Sequence, residues 1–144
     1  MEASTINTVM LIDDDPVSNK ISQLFMRKHQ WSAQVITFED GQLALQALQT
    51  GQTQTGQMQA VPDVILLDVG MPVYDGWDFL EEYEKLPPER TGRSLLYMLS
   101  SSINPPDIQK AAHYRTVKAY LTKPLTLQAL EQIQQDYRDA RETS

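Results

Sequence analysis

Apolar residues follow two patterns along this chain. Some form short continuous runs, typical of strands buried on both faces of a parallel sheet, and others recur three and four residues apart, as in helices that pack on a sheet. The two patterns alternate along most of the sequence. The predicted strands cover residues 8–13, 33–38, 63–68, 94–99 and 117–121.

Helices are predicted between these strands from their caps and their apolar spacing. Asp15-Pro16, an N-cap followed by proline, predicts a helix over residues 16–29. Its apolar residues at helical spacing are Val17, Ile21, Leu24 and Phe25. Further helices are predicted after Asp40, over residues 77–86, after Asn104-Pro105-Pro106, and after Thr126, the last with Leu127, Leu130, Ile133 and Tyr137 on one face.

A polar stretch at residues 49–62 interrupts this pattern. It consists largely of Gln, Thr and Gly and offers little that could be buried, so we expect a mobile, Gln-rich surface loop. The stretch is too short to separate two domains. We therefore predict one domain over residues 1–144.

The alternation of strands and helices predicts an α/β fold. Right-handed crossovers between parallel strands favour a doubly wound (βα)5 three-layer sandwich with the strand order 2-1-3-4-5. This order places the first and third strands side by side. Ligands of such sheets bind outside the carboxyl ends of the strands.

Polar residues follow four of the predicted strands at that edge. Crowded carboxylates repel one another, and a hard cation such as Mg²⁺ relieves the repulsion. An ammonium and a hydroxyl beside them suggest a phosphoryl group, which a carboxylate can accept as aspartyl phosphate. The residues are Asp13 and Asp14, then Asp68 as the nucleophile, Ser100, and Lys123 before Pro124.

Composition narrows the function further. The chain has no Cys, which excludes disulfides and thiolate metal sites, and its two histidines, His29 and His113, lack metal-ligand spacing. A net charge of -7 argues against nucleic-acid binding. No run is long enough to span a membrane, and residues 1–8 do not resemble a signal peptide. We expect a soluble, cytoplasmic protein without nucleic-acid or membrane partners.

The motifs at the strand ends resemble those of the receiver domain of bacterial two-component response regulators, particularly stand-alone, chemotaxis-type members. The resemblance covers about residues 6–140 and implies a flavodoxin-like fold and a signalling switch. Such a switch is not an enzyme beyond promoting its own phosphorylation and dephosphorylation. The motifs, in the family's order, are Leu11-Ile12-Asp13-Asp14-Asp15-Pro16, Leu67-Asp68-Val69-Gly70-Met71-Pro72 with Asp75-Gly76, Leu99-Ser100-Ser101, and Tyr120-Leu121-Thr122-Lys123-Pro124.

By this resemblance Asp68 is the phospho-acceptor and also a ligand of Mg²⁺. Asp14 would hold the ion directly, Asp13 through water, and Gly70 through its backbone carbonyl. The phosphoryl donor would be a phosphohistidine on a sensor histidine kinase or a histidine phosphotransfer protein. The chain is expected to be a monomer or weak dimer that signals to an unknown downstream protein.

The resemblance also implies how the signal leaves the site. Lys123 would contact the phosphoryl group, and Ser100 would be the switch hydroxyl. Tyr120 would be the switch aromatic, which turns inward when Ser100 moves toward Asp68. The face formed by the helix after Pro105, the fifth strand and the last helix would then change shape for a partner. A core aromatic with its hydroxyl at the rim is the alternative interpretation of Tyr120.

Two other functions are compatible with part of this pattern. A haloacid-dehalogenase-like phosphohydrolase would also use an aspartate nucleophile, but Gly70 stands where such enzymes carry a second Asp. A pseudo-receiver would bind partners without phosphorylation, yet every acid and the lysine are present. Gly70 and Ser102 are small at positions that in the family influence the acyl phosphate's lifetime, so this lifetime stays open.

Overall fold

One five-stranded parallel sheet forms the centre of the fold in a computed structural model, which describes residues 6–32, 34–51, 61–101 and 104–142. The strand order is β2-β1-β3-β4-β5, which confirms the predicted topology. The neighbouring strands of the described sheet all run parallel to one another. The strands are β1 (Thr8–Ile12), β2 (Gln34–Phe38), β3 (Val64–Asp68), β4 (Leu95–Ser100) and β5 (Val117–Thr122).

Helices connect these strands, and one of them was not predicted. Pro88 begins a short helix, because proline is favoured in the first turn, where its missing N–H is not needed. The helix predicted over residues 77–86 instead spans Gly76–Tyr83, so it ends before Pro87 and the proline pair only starts the short helix. The helices are α1 (Pro16–Lys28), α2 (Gly41–Thr50), α3 (Gly76–Tyr83), α4 (Pro88–Thr91), α5 (Pro105–Ala111) and α6 (Leu127–Glu142).

The predicted loop at residues 49–62 begins too early. Residues 49 and 50 belong to the last turn of α2, and the helix ends at Gly51, whose φ of 75° is the left-handed cap that glycine adopts readily. The Gly51 N–H donates to the carbonyl of Ala47 at 2.8 Å. Residues 52–60 lie outside the described part of the chain, so the mobility expected for them stays a prediction.

The two faces of the sheet are each covered by a hydrophobic core, which explains the continuous apolar runs. Within β3, Ile65 and Leu67 pack on the side of α2, α3 and α5, while Val64 and Leu66 pack on the side of α1 and α6. All five residues of β3 are buried. Among the described residues no helix combines the length and apolar character needed to cross a bilayer.

Helix α1 ends one residue before its predicted end and has an unexpected orientation. Three of its apolar residues face solvent, with exposed fractions of 63% for Val17, 57% for Ile21 and 47% for Leu24. Its buried positions are instead Asn19, Ser22 and Met26. The Asn19 amide donates to the Asp13 carbonyl at 2.9 Å, so a polar contact with the end of β1 fixes the buried face. In α6, Leu127 is likewise exposed, while Leu130, Ile133 and Tyr137 are buried.

Candidate functional site

The candidate site lies at the carboxyl edge of the sheet, where β1, β3, β4 and β5 end. Ile12 pairs with Leu67 across β1 and β3, so the residues that follow them, Asp13 and Asp68, lie side by side. Ser100 pairs with Thr122 at the ends of β4 and β5. Lys123 comes next and its N–H donates to the Ser100 carbonyl at 2.7 Å. Parallel pairing thus brings four strand ends to one edge.

Three carboxylates and one ammonium meet there. Asp13, Asp14 and Asp68 each offer a carboxylate oxygen within 4.8 Å of the others. The Lys123 ammonium lies 2.5 Å from an oxygen of Asp13 and 3.5 Å from one of Asp68. Lys123 is therefore bound more closely to the acidic pair than to the predicted acceptor. The Lys123–Pro124 peptide bond is cis.

Asp13 is held in place by its backbone neighbours. The Asp15 N–H donates to Asp13 Oδ1 at 2.9 Å, and the Asp13 N–H donates to the Phe38 carbonyl at 3.0 Å. Asp15 itself caps α1 by accepting from the Val17 N–H, as predicted. Asp13 is 5% exposed, whereas Asp14 is exposed to solvent. The acidic pair thus offers one fixed and one open carboxylate.

Asp68 is mostly buried at the end of its rigid strand, with 8% of its surface exposed. The Gly70 N–H donates to Asp68 Oδ1 at 3.4 Å. Gly76, at the start of α3, packs directly on the Asp68 backbone, since a Cβ there would lie 2.7 Å from the Asp68 carbonyl oxygen. The carboxylate therefore extends into the site from a closely packed backbone.

The charges at the site perturb one another. Burial and the negative charge of Asp13 raise the pKa of Asp68, and Lys123 only partly offsets them. Burial disfavours the charged form of Lys123, but its hydrogen bond to Asp13 and the charge of Asp68 outweigh it and raise the Lys123 pKa. Two groups of opposite charge with perturbed pKa values at one edge are typical of a functional site.

Tyr120 faces the core beneath α2, α3 and α5. It pairs with Met98 across the strands and is half-buried against this core. Its hydroxyl is buried and has no hydrogen-bond partner among the described residues. A buried hydroxyl without a hydrogen-bond partner lowers stability. Its role as a switch stays a prediction, as does that of Ser100.

The carboxylate set fits Mg²⁺, which prefers oxygen ligands and keeps several waters. Oxygens from three carboxylates converge on one ammonium, so a bound cation would reduce the remaining repulsion between the carboxylates. Asp13, Asp14 and Asp68 would hold the ion. Gly70 is exposed beside them, and its carbonyl stays a predicted ligand. Ser102 lies outside the described residues.

Sequence reasoning missed two features beside this site. The first is Asn19, whose amide holds the end of β1 and which carried no motif signal. The second is a cavity of about 270 Å³ next to Lys123 and Pro124, lined also by the exposed Val17 and Ile21. The apolar spacing of α1 was visible in the sequence, but the direction in which it faces was not.

Comparisons with known proteins agree with this architecture. The model of the response regulator receiver domain family matches residues 9–135. A two component response regulator from Cytophaga hutchinsonii superposes with a TM-score of 0.83 at 27% identity, over 94% of this chain and 98% of that one.

Two relatives show the same similarity by sequence. Response regulator Rcp1 of Synechocystis sp. is 28% identical over 131 residues, which cover 90% of this chain and 84% of Rcp1. The probable C4-dicarboxylate response regulator DctR of Halalkalibacterium halodurans is 28% identical over 91% of this chain, which spans about half (51%) of DctR. With the family match over most of its length, the chain belongs to the response regulator receiver domain family.

Proposed function

We propose that this protein is a phosphoacceptor switch, in which Asp68 takes a phosphoryl group from a phosphohistidine with the help of Mg²⁺. One observation carries the proposal: the Asp68 carboxylate ends a buried strand between an acidic pair and an ammonium. Asp68 supplies the nucleophile, the acidic pair supplies the seat for a cation, and Lys123 supplies a fixed positive charge.

The transfer needs positioning more than covalent chemistry from the protein. An oxygen of Asp68 forms a bond to phosphorus while the bond from phosphorus to the histidine nitrogen breaks. The electron pair returns to the imidazole nitrogen, which takes up a proton. Bound Mg²⁺ would neutralise negative charge on the phosphoryl oxygens. Lys123, now 2.5 Å from Asp13, would turn its ammonium toward those oxygens.

The donor is a sensor histidine kinase or a histidine phosphotransfer protein. Support for a docking protein comes from α1, where Val17 and Ile21 are exposed beside the cavity next to Lys123. Apolar residues clustered at the rim of a reactive site are typical of a protein contact. A macromolecular donor that rests on α1 would present its phosphohistidine to Asp68.

The output is a change in the face formed by α5, β5 and α6, transmitted by Ser100 and Tyr120. Support comes from the place of Tyr120, which lies on β5 within this face and packs against the core beneath α2, α3 and α5. The downstream protein recognises this face in one state better than in the other. The cytoplasmic location and the monomeric or weakly dimeric state stay predictions.

Intact-mass spectrometry with Mg²⁺ and acetyl phosphate tests the proposal. The wild-type chain should gain the mass of one phosphoryl group, and Asp68→Asn should gain none. Asp15→Asn is the matched control, because it changes a neighbouring aspartate that caps α1 and asparagine caps a helix equally well. Uptake by Asp68→Asn would contradict the acceptor assignment, and no uptake by the wild type would favour a pseudo-receiver.

A further inference from the structure

Helix α5 is weakly anchored to the rest of the fold. Ala111 is its one buried residue, and Ile108 is 40% exposed. An element with little buried apolar surface opens or shifts more easily than the core around it. The side chains that attach α5 to its neighbours at the surface therefore have a large influence on its position.

A cluster of four side chains, which we call the Trp77 clamp, attaches α5 to α3. The Trp77 ring on α3 is stacked on Tyr114, with centroids 6.0 Å apart and planes at 25°. The Lys110 ammonium on α5 lies 4.6 Å from the centre of the Trp77 ring. The Tyr114 hydroxyl donates to Glu81 on α3 at 2.7 Å. Stacking, a cation–π contact and a charged hydrogen bond thus act on one short segment.

The Trp77 clamp is also close in the chain to the acceptor. Gly76 donates its N–H to the Val69 carbonyl at 3.1 Å and packs on the Asp68 backbone, where any side chain would collide. Trp77 is the next residue. A contiguous set of contacts therefore leads from the end of β3 through the first turn of α3 to α5. This path does not pass through Ser100 or Tyr120.

We propose that the Trp77 clamp holds α5 in its unphosphorylated position and that the clamp opens when Asp68 is phosphorylated. The inference rests on the proposed function and adds a regulatory contact to it. For α5 to shift within the α5, β5 and α6 face, Lys110 and Tyr114 must move away from Trp77. Contacts present in one state bias the equilibrium toward that state by their own free energy.

The consequence is reciprocal and measurable. Because phosphorylation weakens the clamp, weakening the clamp must favour the phosphorylated form by the same factor. Lys110→Ala removes the cation–π contact, the one interaction of this side chain among the described residues, so a phosphoryl mimic should bind about two- to fivefold more tightly. Tyr114→Ala removes the stacking and the hydrogen bond, and should increase the affinity at least as much. A side chain with a purely structural role would lower stability without raising this affinity.

The experiment titrates beryllium fluoride with Mg²⁺ and follows bound fluoride by ¹⁹F NMR. Lys85→Ala is the matched control, since it removes an exposed lysine that pairs with Glu82 and lies over no aromatic ring in the described part of the chain. It should leave the affinity unchanged. Hydrogen exchange supplies a second readout: residues 105–114 should exchange faster in free Lys110→Ala and in mimic-bound wild type, while β3 should not change.

The outcomes separate this inference from the proposed function. Tighter binding in Lys110→Ala and Tyr114→Ala, with Lys85→Ala like the wild type, supports the clamp. Equal or weaker binding in both variants, while the wild type binds normally and Asp68→Asn does not, overturns the clamp alone. Failure of the wild type to bind the mimic overturns the proposed function and the clamp with it.

Discussion

Val73 lies in a strained turn between the acceptor and α3, and replacing it should stabilise the protein. Its φ is 66°, a left-handed value that is unusual for a β-branched residue. The Tyr74 N–H donates to the Pro72 carbonyl at 2.6 Å, so Val73 is the centre of a γ-turn of the rarer, strained hand. The side chain is fully exposed and loses no packing when removed.

The expected gain in the free energy of unfolding is the difference between two opposing effects. The left-handed conformation costs a non-glycine residue about 1–2 kcal/mol, which Val73→Gly recovers. Glycine adds unfolded-state entropy worth about 0.4–1 kcal/mol, which leaves a net gain of about 0.5–1 kcal/mol. For 144 residues the unfolding entropy is about 0.3 kcal/mol per degree, so the melting temperature should rise by about 2–3 °C.

Thermal and urea unfolding of Val73→Gly and Val73→Asn measure this gain. Asparagine tolerates the left-handed region without the flexibility of glycine, so it should stabilise at least as well. Gln30→Gly is the comparison, because Gln30 also has a positive φ of 48° but is not β-branched, and its gain should be smaller. A lower melting temperature for both Val73 variants would refute the strain and the turn geometry.

Three further predictions concern the site and its supports. At pH 7 in the presence of a chelator, Asp68→Asn should have a higher melting temperature than the wild type, because it removes one of three converging carboxylates. Mg²⁺ should narrow this difference in melting temperature. A lower melting temperature for Asp68→Asn would contradict the mutual repulsion of the carboxylates. Lys123→Ala should keep the fold and Mg²⁺ binding but lose the phosphorylation-dependent change in hydrogen exchange of α5, and unfolding would show that Lys123 is a structural residue. Asp75→Ala should destabilise the protein by about 1 kcal/mol, because it removes the capping box of α3, and Asp75→Asn should destabilise it less. Equal losses of unfolding free energy in urea for the two variants would contradict the role of Asp75 as a cap.

The sheet was predictable because its strands are buried on both faces. The run at residues 63–68 gives β3 to within one residue, since four consecutive apolar residues lie between its two aspartates and all of them are buried. The helices were less certain. Spacing identified α1, but it did not show that Asn19 and Ser22 face the core while Ile21 faces solvent. That choice depends on a hydrogen bond to the end of β1.

The candidate site was predictable as a meeting of strand ends, but not in its detail. Strand order alone brings Asp13 beside Asp68 at one edge. The sequence could not show that the ammonium of Lys123 lies closer to Asp13 than to Asp68, because this depends on side-chain geometry. The sequence placed Trp77 at the start of a predicted helix, but it could not show the contact with Lys110, which joins residues far apart in the chain.

Locating the phosphoryl group tests the central claim most directly. After treatment with Mg²⁺ and acetyl phosphate, rapid proteolysis and tandem mass spectrometry should place one phosphoryl group on Asp68. The predicted ester is on the residue that ends β3, with Asp13 and Asp14 unmodified. A phosphoryl group on Asp13, on Asp14 or on either histidine, with Asp68 unmodified, would contradict the account.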